Sequence, residues 1–236
     1  MQDNNSSEYS GIEELVKLEL MKNYNNAIVE DSLFLRAEIN RIIDFGAGIG
    51  TLSLIFREKY KKDTLCVEID KNNINYLKNR NFKCVQNIDD ISIKADLIFS
   101  SNVLEHVKND YEILNNFRRH LDDNGFLFLY LPANNILWTR LDEVVGHYRR
   151  YEKSRLRKLC KDTGFKIIKM KYADSIGFFT TIIWKIMNRF INQTLPSEAS
   201  LKIYDKYIFP ISRFLDKIGF RYLIGKNIIL VAQKKI

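Results

Sequence analysis

Short apolar runs alternate with amphipathic stretches along most of this chain. Ile42-Ile43 leads into a polar, glycine-rich turn, after which Leu52, Ile55 and Phe56 recur at helical spacing. Thr64 to Val67 is a second apolar run, and Ile74 to Asn79 continues a helix that follows Asp70. Phe82 to Val85 and Asp96 to Phe99 predict a third and a fourth strand. Tyr111 to Leu121 is helical (Ile113, Leu114, Phe117, Leu121), Asp122 to Gly125 is a turn, and Phe126 to Leu131 is a fifth strand stopped by Pro132. Ahead of all this, Ile12, Leu15, Val16 and Leu20 mark one face of a helix over Ile12 to Asn26, before a second helical stretch. Such alternation means crossover units and a mostly parallel sheet, with ligands at the carboxyl ends of the strands.

The pattern changes in the last third. Ile176 to Gln193 is the most apolar stretch, with Lys185 and Arg189 four apart on one polar face. Leu201 to Phe220 continues it, with apolar residues set among lysines and arginines. Residues 174–224 therefore read as a helical insertion before a last strand, inside a single domain.

Composition adds bounds. The 236 residues are 46% apolar and 28% charged, an ordinary globular balance with material for one sizeable core. No apolar run reaches bilayer length. The polar start, Met1 to Ser7, carries no secretory pattern. Cys66, Cys84 and Cys160 lack metal or redox spacing and read as core residues in a reducing cytoplasm, and no metal-ligand set is expected. The net charge of +8 is unevenly spread. From Arg140 onward 21 Lys and Arg face 8 Asp and Glu, whereas the first 139 residues are net acidic. An anionic partner for the second half (phosphate, nucleic acid or a lipid surface) and a merely solvated basic face both fit.

The candidate chemistry starts at the first turn. Asp44-Phe45-Gly46-Ala47-Gly48-Ile49-Gly50 has the spacing D-x-G-x-G-x-G. A pyrophosphate fingerprint places its third glycine one position further on. A carboxylate beside the turn would repel a diphosphate and suit an ammonium or sulfonium; S-adenosylmethionine carries both. Glu68, directly after the second apolar run, is placed to take both hydroxyls of a ribose, and Asp70 to cap the next helix.

Together with Asn102-Val103-Leu104-Glu105-His106 and the stretch from Asp123 to Pro132, these residues resemble a class I S-adenosylmethionine-dependent methyltransferase over roughly residues 24 to 172. The resemblance implies a Rossmann-like α/β three-layer sandwich. Its seven-stranded sheet would be mostly parallel with a reversed last strand, the sixth and seventh strands being Phe165 to Tyr172 and Asn227 to Gln233. It also implies a cofactor pocket: Asp44, Gly46, Ala47, Gly48 and Gly50 at the methionine end, Glu68 and Ile69 at the ribose. Asn87 and Ile88 would flank the adenine, with Asp89 as an alternative to Asn87, and Ser101 and Asn102 would close the pocket, with Tyr24 beside them. Tyr24-Asn25, Leu131-Pro132-Ala133, Leu141-Asp142-Glu143 and Gly146-His147-Tyr148-Arg149-Arg150-Tyr151 are similar to a bacterial subgroup often found with glycosyltransferases of surface-polysaccharide or glycolipid synthesis. That implies a saccharide or lipid-linked saccharide acceptor, a glycosyltransferase partner and a place in the cytoplasm, in peripheral contact with the inner face of the membrane.

Methyl transfer asks the protein mainly to hold the nucleophile in line, which supplies roughly 7–11 kcal/mol. A hydroxyl acceptor adds the need for a general base, worth about 10²- to 10⁴-fold. The catalytic candidates cluster in the long connection from Ala133 to Lys153: His147 as base or acceptor-orienting group, Tyr148 beside it, one of Arg149 and Arg150 as anion clamp and the other as a brace. His106 reads as a structural cap, His120 as a solvated helix-end residue. Three rivals remain. A nucleic-acid enzyme is disfavoured because Leu131-Pro132-Ala133 stands where an amino-methylating motif would be; a nicotinamide oxidoreductase is disfavoured by the glycine spacing. The third is a non-catalytic cofactor-binding partner.

Overall fold

A computed structural model describes residues 12–33, 38–191 and 196–235. Met1 to Ser7 and the end of the apolar stretch at Gln193 lie outside these residues, and the Arg189 side chain is likewise not described.

Seven strands form one sheet in the order β3-β2-β1-β4-β5-β7-β6. They are β1 (Ile42–Phe45), β2 (Thr64–Val67), β3 (Lys83–Val85), β4 (Ala95–Ser101), β5 (Leu121–Pro132), β6 (Phe165–Ala173) and β7 (Asn227–Lys234). The first five run parallel, and β7 lies antiparallel to both β5 and β6. The expected Rossmann-like sheet with its reversed last strand is thus present. Strand order reverses direction between β1 and β4, which opens a crevice at their carboxyl ends.

Side chains alternate across the sheet because successive Cβ atoms point to opposite faces. On one face Leu127, Leu129 and Leu131 of β5 join Leu114 and Phe117 of α5 (Asp110–His120) and Leu156 and Cys160 of α7 (Lys153–Asp162). On the other, Phe128 and Tyr130 meet Phe56 of α3 (Thr51–Tyr60) and Ile28 and Val29 of α2 (Lys22–Ser32). Phe99 and Phe128 stack with centroids 5.2 Å apart in the middle of that second layer.

Element boundaries depart from the pattern in two places. The first helix is two: α1 (Ile12–Glu19) stops at Leu20, and α2 begins at Lys22. Asp205, far along the chain, accepts the backbone N–H groups of Asn23 and Tyr24 at the start of α2 and so fixes the break. The turn expected over Asp122 to Gly125 is carried inside β5, whose register against β4 shifts between Ala95↔Leu121 and Leu97↔Phe126. Asp70 does cap α4 (Lys71–Asn79), accepting from Asn72 and Asn73. Between β6 and β7 lie α8 (Ser175–Ile191), α9 (Glu198–Ile203), a single π turn over Tyr204–Ile208 and α10 (Phe209–Lys217). Asp174 anchors this helical segment from the end of β6. Its buried carboxylate accepts from the Tyr204 hydroxyl, the Ser212 hydroxyl and the Gly177 N–H.

Candidate active site

The glycine turn sits at the carboxyl end of β1. Gly46 and Gly48 hold φ of 75° and 55°, a region that costs other L-residues about 1–2 kcal/mol. At Gly46 the need is also steric: a Cβ would come 2.3 Å from Val103 Cγ2, so the loop after β4 packs directly on this turn. Gly50 faces Leu77 and Phe82, inside the protein, and acts in packing. Helix α1 covers the turn from outside. Leu15 reaches over Gly48, and Glu19 pairs with Arg80, whose guanidinium also donates to the Ile49 carbonyl.

Glu68 is the centre of this half of the site. One carboxylate oxygen accepts the Gly48 N–H at 2.7 Å, the other those of Ile69 and Asp70 at 2.8 and 2.9 Å. Three of about four acceptor directions are thereby used, and the group is fixed at the lip of the crevice with capacity left for a ligand hydroxyl. The Ile69 side chain points to solvent. Asp44 lies behind the turn, 2% exposed, accepting from the Ser53 hydroxyl at 2.6 Å. Burial, with the charge of Glu68, pushes its pKa up to about 7 against the Ser53 hydrogen bond.

The rim follows. Asn87 caps the short turn Ile88–Asp90 with its own side chain, above the buried Ile88. Asp89, the alternative adenine contact, faces His120 and Arg119 at 3.7 and 3.8 Å. His120 itself is 9% exposed and bonded to the Asn116 carbonyl, a buried residue rather than the solvated one expected. Ser101 ends β4. Asn102 takes φ of 54°, donates its N–H to the Tyr130 carbonyl and turns its amide onto the Ser101 hydroxyl. Tyr24 is packed inward, its hydroxyl joined to Tyr130 and Asn227.

The connection after β5 folds back on the loop after β4. Its short helix α6 (Arg140–Val144) is closed by Asp142, which accepts from the Thr139 N–H and hydroxyl. Asp142 also receives Arg150 through two parallel hydrogen bonds of 2.9 Å and His147 Nδ1 at 2.8 Å. Burial alone would raise its pKa, but the bonds from His147 and Arg150 prevail and hold it well below the usual carboxylate range. With Nδ1 engaged, His147 Nε2 faces inward, 3.8 Å from Glu105, and its ring lies edge-on to His106 at 4.5 Å. The Tyr148 N–H donates to the Glu105 carbonyl, while the Tyr148 ring is exposed.

The anion clamp expected of Arg149 or Arg150 is not what these contacts show. Arg150 is buried on Asp142. Arg149 donates to the Val107 and Lys108 carbonyls at 2.8 Å and pairs with Asp110 at 3.1 Å. Both guanidinium groups brace the loop, because buried carbonyls and carboxylates beside them need donors. A surface cleft lies elsewhere, between α2, β6 and α10, and its Lys171 and Arg213 are both paired with Asp31. Sequence reasoning assigned no role to Glu105, which is completely buried with its pKa raised to about 8 by burial. An acid between Leu104 and His106 at a strand end was the available signal.

The residues at the crevice fit S-adenosylmethionine: a turn whose positive φ favours glycine, and a fixed carboxylate with an acceptor direction left for a ribose hydroxyl. A family model described as a methyltransferase domain matches residues 18–170. No curated protein matches the chain. Among solved structures, phosphoethanolamine N-methyltransferase 2 of Haemonchus contortus, in complex with S-adenosyl-L-methionine, is 17% identical over 98% of this chain with a TM-score of 0.63, and this chain spans 59% of that one. A SAM-dependent methyltransferase of Archaeoglobus fulgidus is 14% identical, covers 94% of both chains and has a TM-score of 0.56. A possible histamine N-methyltransferase of Thermotoga maritima is 12% identical over 94% of this chain and 95% of that one, at a TM-score of 0.62. At these identities the likeness concerns the fold. The chain belongs to the methyltransferase domain family, as a class I enzyme whose cofactor is S-adenosylmethionine.

Proposed function

We propose that the enzyme methylates an oxygen of a saccharide, lipid-linked or otherwise anionic, in cell-surface polysaccharide or glycolipid metabolism. The observation that carries an oxygen acceptor is the Asp142–His147 pair. Asp142, kept charged by Arg150, holds His147 with Nδ1–H toward the carboxylate and the Nε2 lone pair toward the inside of the site. That is the arrangement a general base for a hydroxyl requires, and the carboxylate stabilises the imidazolium that results. The bound cofactor supplies an electrophilic methyl group on a sulfonium. Gly46, Gly48 and Glu68 would hold it, with Ser101 and Asn102 at the rim; Tyr148 offers an exposed ring on the acceptor side.

A lipid-linked acceptor is supported by the helices before β7. Phe179, Ile183, Ile186, Met187, Ile211 and Phe214 are exposed large apolar residues on α8 and α10, an unusual density for a water-facing surface. No helix among the described residues is long and apolar enough to cross a membrane. The reading is therefore contact with the inner membrane face, where a glycosyltransferase partner would also work.

The test is product analysis with methyl-labelled S-adenosylmethionine against sugar nucleotides, lipid-linked sugars, phosphoethanolamine and histamine. Label should enter a saccharide oxygen. His147→Ala should lower turnover about 10²- to 10⁴-fold while cofactor affinity is unchanged. Label in an amine, with His147→Ala fully active, would overturn this reading.

A further inference from the structure

Glu105 is the anomaly of the described core. Asp44, Asp110, Asp142 and Asp174, likewise buried, accept hydrogen bonds from Ser53, Tyr151, Arg150 and Tyr204 respectively. Glu105 is 0% exposed, and neither of its oxygens accepts a hydrogen bond from any other described residue. A buried carboxylate in that state needs a compensating cation or a proton. The charge of Arg150 acts on Glu105, but neither nearby guanidinium bonds it: Arg150 is bidentate on Asp142 and Arg149 is engaged by Val107, Lys108 and Asp110.

Two imidazoles stand beside it. His147 Nε2 is 3.8 Å from Glu105 Oε1, and one donor atom each from Glu105, His106 and His147 all lie within 4.8 Å of one another. Donors around an ion with bonds of about 2.0–2.2 Å sit roughly 3–3.5 Å apart, so small side-chain rotations close the set. The surroundings have the form of an outer shell. Asp142 takes the other ring nitrogen of His147, which fixes the tautomer and aims the Nε2 lone pair, as carboxylates do behind metal-bound histidines. The Tyr148 N–H to the Glu105 carbonyl, at 2.7 Å, ties the two contributing loops together.

We propose that Glu105, His106 and His147 bind one divalent transition-metal ion. Two imidazole nitrogens and one carboxylate select an ion of the Zn²⁺ or Co²⁺ kind over Mg²⁺ or Ca²⁺. Val103, two residues before Glu105, packs on Gly46, so the ion lies next to the loop that holds the methyl donor. This deepens the acceptor reading above and rests on it only for the ion's use: with the ion bound, His147 Nε2 would be a ligand in place of a free base, and the ion would take over the activation of the acceptor hydroxyl by lowering its pKa.

The experiment uses the untagged full chain after chelation and dialysis. Co²⁺ is titrated by visible absorption and Zn²⁺ by calorimetry, with wild type, Glu105→Gln and His106→Ala compared. The expected result is one ion per wild-type chain, with affinity at least tenfold weaker in both variants. Glu105→Gln keeps shape and removes charge, so its thermal stability and its S-adenosylmethionine affinity are measured alongside as folding controls. No binding by wild type, or equal binding by a folded Glu105→Gln, overturns the site and leaves Glu105 as a buried protonated acid. Metal binding without saccharide turnover would overturn the acceptor reading alone.

Discussion

At the scale of residues, groups that would face ligands are distinct from groups that hold the loops in place. Arg150 belongs to the second kind: it is 7% exposed and its partner Asp142 1%. Removing one member of such a pair leaves a buried uncompensated charge, so Arg150→Ala should destabilise the protein by about 3–5 kcal/mol in urea unfolding. A loss below about 1 kcal/mol with acceptor affinity gone would restore the clamp role. Asp44 gives a pH signature. Its folded pKa, about 7, lies above the ordinary carboxylate value near 4, so the native state binds the proton more tightly. The stability this contributes is fully present below about pH 4 and is lost as pH rises through 7. Asp44→Asn should flatten that part of the urea-midpoint profile; parallel profiles for the two proteins would show that Asp44 does not titrate there. A residue's role was readable where local chemistry decided it, as for Asp70 as a cap. The partners of Arg149 were not readable, because the carbonyls of Val107 and Lys108 lie 42 and 41 residues away. Nor was the isolation of Glu105, which depends on what every neighbouring donor is already doing.

At the scale of elements, periodicity located the first five strands and the helices between them because each buries one face or one stripe, while the sixth and seventh strands came from the family resemblance. It failed where a distant group set the boundary. Asp205 breaks the N-terminal helix into α1 and α2, and β5 absorbs Asp122 to Gly125 through its shifted pairing with β4. The helices α8 and α10 carry the clearest element-level expectation. Their exposed Phe179, Ile183, Ile211 and Phe214 accompany lysines and arginines of a strongly basic second half. Sedimentation with vesicles should show binding to anionic lipid and release by high salt, and Phe214→Ser with Ile211→Ser should weaken it. Equal pelleting with neutral vesicles, or none, would leave these helices as a lid over the enzyme.

At the scale of the whole molecule, the sheet order brings two loops together at one edge. The turn after β1 and the loop after β4 meet where Gly46 touches Val103, and the connection after β5 reaches them through Tyr148 and Glu105. The glycine turn and the connection that carries His147 thus come together, although they lie about a hundred residues apart in the chain. The order of the strands supplies the physical cause of this meeting. The claim beneath all the others is that S-adenosylmethionine binds at the turn with Glu68 as its carboxylate anchor. Calorimetric titration of wild type and Glu68→Ala with S-adenosylmethionine, with NAD as competitor, tests it. The account predicts binding that NAD does not displace, weakened by roughly 1–3 kcal/mol in Glu68→Ala. Unchanged affinity in a folded Glu68→Ala, or displacement by NAD, would contradict it.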